Sequence, residues 1–305
     1  MLVLRGRNAT LHVGDDGRVT TGARDDARVI EGGWVGPGIV DAHVHLAFGS
    51  MDEMTRHGVV AVRDLGAPPA LAAAVRAPNV AVAGPLLTAP GGYPSRSWGA
   101  DGFSRFVADP DEARRAVREL DADLVKVALE PAGGAPVPDE ETTRAIVEAA
   151  HDRGLPVTAH ALTAAMVERA LDAGVDELCH TPAEPLDART VDRIAAAGIP
   201  VVSTIECLGE GAARNAAALH RAGVRLVYGT DLGNAGTRTG AEPRELRRLA
   251  EAGLGPRGAF EAATRPVTVG EPARLVVLEG DPVEDPELWR TPVAVVVDGR
   301  VVSAR

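Results

Sequence analysis

Two kinds of hydrophobic patterning divide the chain. Near both ends, apolar and β-branched residues come in short runs broken by Gly and Asp: LVLRG, TLHVG and RVTTG at the start, RLVVLEGDP and VAVVVDGRVVSAR at the finish. Runs of this kind between turn residues predict strands, and Asp298-Gly299 predicts a tight hairpin. Strands at opposite termini can share a sheet, because domain termini commonly lie close together. The pattern predicts a small composite β-domain from residues 1–35 and 266–305.

Between the ends, a strand-like segment followed by a helix-like segment recurs eight times. The strand segments are GIVDAHVHL (38–46), VVAVRDLG (59–66), NVAVAGPLLT (79–88) and LVKVALE (124–130), then PVTAHAL (156–162), VDELCHT (175–181), IPVVST (199–204) and RLVYGTD (225–231). Helical periodicity intervenes, as in PDEARRAVRELDA (110–122) and DEETTRAIVEAAHDRG (139–154), the latter stopped by Gly154. Strands that are apolar almost throughout are buried on both faces, as in a parallel sheet covered by helices. Eight such units across residues 36–265 match a (β/α)8 barrel; a doubly wound sheet is the rival, but its glycine fingerprint is missing. The expected fold class is α/β: a (β/α)8 TIM barrel with a small β-sandwich domain formed from both chain termini.

Composition narrows the function. With 45% hydrophobic and 25% charged residues in 305, the chain can bury a sizeable core. Lys and Arg total 32 against 43 acids, a net charge of −11 that opposes phosphate neutralisation. Aromatic residues are few (four Phe, three Trp, two Tyr), which leaves little for base stacking. Nucleic acid is therefore not an expected partner. Two cysteines, Cys179 and Cys207, make no disulfide framework and suit a reducing compartment. No run approaches the roughly 18 apolar residues of a membrane span, and no signal-type segment opens the chain. The expectation is a soluble cytoplasmic protein with no membrane partner, for which the sequon at Asn8-Ala9-Thr10 carries no meaning.

Four of the eight histidines, His43, His45, His160 and His180, fall at the C-terminal ends of predicted strands, where barrel enzymes carry their chemistry. His12, His57, His151 and His220 lie on the predicted β-domain, helices or helix–strand junctions. His43 and His45 are two apart on one strand, so both point inward, with Cα atoms about 6.6 Å apart. From there two imidazoles can converge on one ion at about 2.0–2.1 Å per bond. Asp41 shares that face. His160 and His180 supply nitrogens from the fifth and sixth strands. Asp231, ending VYGTD, supplies an oxygen that can ligate a metal and accept a proton from bound water.

Lys126 interrupts an apolar strand. Either its stem packs while its ammonium escapes to the surface, or its amine takes up CO2 to become a carbamate whose two oxygens can bridge two ions. Tyr93, Arg96 and Trp98 in the loop after the third strand, and Arg238 after the eighth, are candidates to shape a pocket or pair with a substrate carboxylate. Locally packed or solvated loop residues are the alternative. Glu206 and Cys207 follow the seventh strand and can also reach inward, although activated water leaves no need for Cys207 as a nucleophile.

The stretches PGIVDAHVHL (37–46), GVVAVRDLGA (58–67), VAGPLLTAPGG (82–92), DLVKVALE (123–130), VTAHAL (157–162), ELCHT (177–181) and VYGTDLG (227–233) occur in an order that resembles the amidohydrolase superfamily. EAGLGPRGAFEAATR (251–265) and ARLVVLEGDP (273–282) extend the resemblance over nearly the whole chain, within the imidazolonepropionase-like and prolidase-like metal-dependent branch. The resemblance implies that His43 and His45 bind one metal and His160 and His180 the second. It further implies that carboxylated Lys126 bridges both, while Asp231 binds metal and serves as general acid/base. Three departures stand out: a short stretch after AATR that lacks a helix present in relatives, Ala273-Arg274 in place of the usual Ala-Asp, and Tyr93 where relatives carry a histidine.

The implied activity is metal-dependent cleavage of an amide C–N bond in a dipeptide or N-acyl amino acid. Two divalent ions, zinc foremost with Mn, Co or Fe as alternatives, would bring the pKa of bound water from about 15.7 towards 7 and so yield hydroxide at neutral pH. Asp231 would relay the proton to the leaving nitrogen. Alternatives are a cyclic amide hydrolase, an imidazole- or pyrimidine-type deaminase, or a non-catalytic barrel homologue. Deaminases of the superfamily typically use one metal and no bridging lysine, so Lys126 favours the first reading. The expected partner is a small molecule or short peptide; a homo-oligomer is left open.

Overall fold

The computed structural model describes residues 1–234 and 236–304. Its barrel strands run parallel in two hydrogen-bonded arcs. One contains Ile39–Val44, Val59–Asp64 and Val80–Val82. The other contains Leu86–Thr88, Val125–Leu129, Val157–Ala161, Glu177–Leu178, Val201–Val202 and Leu226–Val227, with Ser104–Phe106 added outside Leu86–Thr88. The ring closes where the first strand meets the last: Ala42 donates to the Tyr228 carbonyl (3.1 Å), Asp231 to that of His43 (2.8 Å) and His45 to that of Leu232 (2.9 Å). The chain folds as a (β/α)8 barrel.

Two details depart from the sequence pattern. The segment 79–88 is not one strand: Ala83-Gly84-Pro85 breaks it, with Gly84 at a positive φ of 69°. Its first half pairs with the second strand and its second half with the fourth. The last three barrel strands have only two ladder residues each, against six or seven predicted. Beyond them the backbone turns aside to deliver side chains, and Thr204 (φ 42°) and Asp231 (φ 54°) take up the left-handed conformation. That conformation is costly for a β-branched residue and tolerated by Asp.

The helices start where the sequence offers a side-chain acceptor to a free amide. Asp109 caps Pro110–Glu119, Asp139 caps Glu140–His151, Thr163 caps Ala164–Ala173 and Asp187 caps Ala188–Ala197. Gly174 and Gly198, both left-handed, end the last two, a conformation glycine adopts without a Cβ penalty. No helix among the described residues is long and apolar enough to cross a membrane.

The terminal segments form two four-stranded sheets. The first has the order Val19–Thr20, Thr10–Val13, Leu2–Arg5, Arg28–Glu31; the second has Arg300–Ala304, Ala294–Val297, Arg274–Leu278, Trp34–Pro37. Asp298 (φ 48°) and Gly299 (φ 79°) make the expected hairpin. The sheets share a core of Leu4, Val13, Ile30, Val35, Leu275, Val277 and Val296, so strands from opposite ends of the chain make one sandwich. The other face of the second sheet packs on the barrel through Val276, Leu278 and Val295, beside Trp34, Trp289 and Phe260. No helix lies between Ala263 and Arg274.

Candidate functional site

Inside the barrel, below its mouth, Glu177 accepts from Arg63 (2.7 Å) and from Thr158 (2.8 Å), so the floor is a satisfied polar cluster. Above it the C-terminal strand ends enclose a cavity of about 230 Å3. His43, His45, Lys126, His160, His180 and Asp231 all line it, and each is almost fully buried. Residues separated by up to 188 positions in sequence thus meet in one place.

Local hydrogen bonds explain how they are held. Asp41 accepts from the His43 amide (3.0 Å) and from the Thr230 amide and hydroxyl (3.1 and 2.6 Å), which ties the first strand to the eighth just beneath Asp231. Burial pushes Asp41 up to about 7. Asp64 accepts from Leu46 (2.8 Å) and Gly66 (3.1 Å) and fixes the turns leaving the first two strands. Gly66 is required where it stands: a Cβ there would lie 2.6 Å from Leu86 Cδ1 and 2.9 Å from His45 Cε1.

Three of the four imidazoles are held through Nδ1. His43 donates to the Cys179 carbonyl (2.7 Å) and His45 to the Gly66 carbonyl (3.1 Å), while His180 Nδ1 meets the Thr204 hydroxyl (3.0 Å). His160 is held the other way round, through Nε2 against Glu130 Oε2 at 3.2 Å. Burial, reinforced for His43 by the Lys126 charge and for His180 by its neighbouring histidines, drives both well below the usual imidazole range. Burial lowers His160 as well, against the pull of Glu130.

The decisive feature is His43 Nε2. It is buried without a hydrogen-bond partner, 3.2 Å from Asp231 Oδ1. With Nδ1–H given to Cys179, the neutral ring turns a lone pair towards a carboxylate oxygen, an unfavourable contact unless a cation lies between them. His45 Nε2 stands 3.4 Å from the same oxygen. Donors around a tetrahedral ion with bonds of about 2.0–2.1 Å are spaced about 3.3 Å apart, so this trio fits a metal. A second grouping brings His43, Cys179 and His180 within ligating range of one another, with the His160 ring 4.6 Å from that of His180.

Lys126 has an unexpected neighbour. Its Nζ lies 2.8 Å from the buried Cys179 thiol, and the side chain is buried rather than extended to the surface. Burial pushes that thiol up to about 11. Glu130, Thr204 and Cys179 are functional neighbours that sequence reasoning passed over. Glu130 alone left a signal, as an acid directly at the end of an apolar strand.

The loop candidates separate. Tyr93 and Trp98 line the cavity and are joined by a hydrogen bond from Trp98 Nε1 to the Tyr93 hydroxyl (2.9 Å). Arg96 is exposed beside Gly91, outside the lining. Arg238 lines a neighbouring cavity with Cys207, Glu242 and Glu245. Glu206 is drawn away by ion pairs with Arg244 (3.0 Å) and Arg248 (3.3 Å). Cys207 stands 3.9 Å from Asp231 Oδ2, its thiol raised by burial.

The profile of the amidohydrolase family matches residues 34–265, most of the chain. The chain belongs to the amidohydrolase family. This amidohydrolase is thus a hydrolase of carbon–nitrogen bonds, in a family that generally depends on metal ions. Its fold is shared with solved structures at low identity. A putative prolidase from Bifidobacterium longum is 25% identical, with a TM-score of 0.78 over 96% of this chain and 88% of that one. Another amidohydrolase is 24% identical (TM-score 0.82; 100% and 98% covered). A prolidase complexed with N-methylphosphonate-L-proline is 22% identical (TM-score 0.82; both chains covered completely). No curated protein sequence matches this amidohydrolase.

Proposed function

We propose that this amidohydrolase cleaves the amide bond of a dipeptide or N-acyl amino acid, and that its barrel, residues 36–265, binds two divalent ions, zinc by preference. The composite β unit of residues 1–35 and 266–305 serves as support. The observation that carries the reading is the buried, unpartnered His43 Nε2 facing Asp231 Oδ1 at 3.2 Å, with His45 Nε2 at 3.4 Å from the same oxygen. Neutral imidazoles and one carboxylate are a donor set that zinc accepts readily. His43 and His45 hold one ion, His160 and His180 the other, and Asp231 contacts metal as well.

Lys126 supports a binuclear site through its charge. A buried ammonium beside two dications would be repelled; uptake of CO2 on Nζ with loss of two protons turns it into an anionic carbamate. When bound, the ions polarise the scissile carbonyl and lower the pKa of water. The protein then contributes position and proton transfer. Asp231 is anchored by its own amide to the His43 carbonyl (2.8 Å), and its Oδ2 accepts from Asn234 Nδ2 (3.1 Å). In that pose it takes the proton of the attacking water and returns it to the leaving nitrogen. The likeness to prolidase folds supports a small amino-acid amide as substrate.

Metal analysis with a panel of dipeptides, N-acyl amino acids and cyclic imides tests the reading. The expected result is about two ions per chain, hydrolysis of a linear amide, and an Asp231→Asn variant that loses turnover with little change in KM. One ion with release of ammonia from a ring would replace it with a deaminase, turnover of cyclic imides alone with a ring-opening hydrolase. No ion after supplementation would leave a barrel used only for binding.

A further inference from the structure

One wall of the cavity is aromatic in a chain that has few aromatic residues. Phe48 follows the first strand in the short helix Leu46–Phe48, and Trp98 and Tyr93 come from the loop after the third. Phe103 backs them: its ring stacks on Phe48 at 5.8 Å with 7° between planes, and Trp98 meets it edge-on at 5.5 Å. Trp98 also meets Phe48 (6.0 Å) and the His45 ring (4.9 Å), while Tyr93 lies 5.0 Å from the His160 ring. The wall therefore reaches from the His45 side of the site to the His160 side.

Its placement is built in. Gly233 has φ 113°, and a Cβ on it would stand 2.6 Å from Phe48 Cδ2, so the loop after the eighth strand makes room for this ring. Phe48 nevertheless remains 48% exposed, and the other large exposed hydrophobic residues lie outside the cavity lining. An apolar surface left open at a site mouth marks a place for an apolar ligand group. Among the described residues of the lining, the charged side chains are Lys126 and Asp231, both at the metal-facing end. A carboxylate against the wall would lose hydration and face the negative faces of the rings without gaining a partner. At about 230 Å3 the cavity is smaller than the roughly 300–1,000 Å3 of most ligand pockets, which suits one ring and one amide rather than two bulky groups.

We propose that the substrate carries a neutral aromatic ring next to its scissile amide, and that Phe48 and Trp98 select it by edge and face contacts. The proposal rests on the amide-hydrolase reading above. It makes Phe48 and Trp98 specificity residues, with Phe103 and Gly233 as their support.

The test uses the metal-loaded full chain and three non-hydrolysable probes: N-(methylphosphonyl)alanine, N-(benzylphosphonyl)alanine and N-(methylphosphonyl)phenylalanine. Binding is measured by calorimetric titration and hydrolysis with the matching acyl amino acids. At least one ring-bearing probe should bind about tenfold or more tighter than the ringless one, and Phe48→Ala, at a half-exposed position, should reduce that ratio towards one. A conservative Phe48→Leu variant should recover part of it, and melting curves verify folding. Equal binding of all three probes, or an unchanged ratio in Phe48→Ala, overturns the proposal even if amides are hydrolysed. A ring preference without hydrolysis of any amide sustains the aromatic wall and refutes the amide-hydrolase reading instead.

Discussion

His160 meets Glu130 through Nε2 at 3.2 Å, the reverse of His43, His45 and His180, which are held through Nδ1. Glu130 also accepts from the Ala132 amide at 2.8 Å, so its carboxylate is locked at the strand end. A carboxylate behind a ligating imidazole fixes the ring and strengthens it as a donor. Glu130→Ala should therefore weaken binding of one ion about 10–100-fold, with Glu130→Gln in between. Metal titration of the apo-protein measures this directly; equal affinities in all three proteins would remove Glu130 from the site.

Gly66→Ala places a methyl group against His45 and Leu86. Overpacking of this kind costs about 1–3 kcal/mol, and here the displaced group is a proposed ligand. The variant should stay folded but bind less metal than wild type at equal free zinc. Elemental analysis after dialysis, alongside a melting curve, separates the two effects.

Metal removal should lower stability more than an exposed site would predict. Apo-protein keeps buried lone pairs facing the Asp231 carboxylate, and ions that bind only the folded chain add about 4 kcal/mol at a thousand times their Kd. Melting with and without chelator, followed by re-addition of zinc, should show a large reversible shift. Asp231→Asn should shrink that shift.

Glu245 introduces a pH dependence of its own. Its two oxygens accept from the Ile205 (2.9 Å) and Glu206 (2.7 Å) amides, clamping the turn that begins at Thr204. Burial raises it from 4.5 to about 7. Between those values the folded chain retains a proton that the unfolded chain has released, so stability falls as pH rises through the window, by roughly 3 kcal/mol in all. Glu245→Gln, although less stable outright, should show a smaller drop between pH 5 and pH 8 in denaturant melts. A drop as large as that of wild type would assign the effect to other groups.

Much of this arrangement is legible without coordinates, for definite reasons. Strand periodicity puts His43 and His45 on one side, and barrel topology puts every strand end at one mouth, so six scattered polar residues can be gathered from the sequence. The terminal sheets follow from β-branched runs and the Asp298-Gly299 turn. The split of 79–88 has its own signal in the Gly84-Pro85 turn dipeptide, which a reading of periodicity alone passes over. Arg96 and Arg238 were misleading for a related reason: a loop address says which end of the barrel a residue occupies, not which cavity its side chain enters.

By itself, then, the sequence determined the family, the barrel and the identity of the converging groups, since these depend on pattern and order along the chain. The tertiary structure alone decided which nitrogen of each imidazole turns inward, that Lys126 lies against Cys179, and that Phe48 and Trp98 form a wall. Those outcomes depend on side-chain rotations set by partners far away in sequence, 136 residues in the His43–Cys179 hydrogen bond, and no local pattern encodes such a contact.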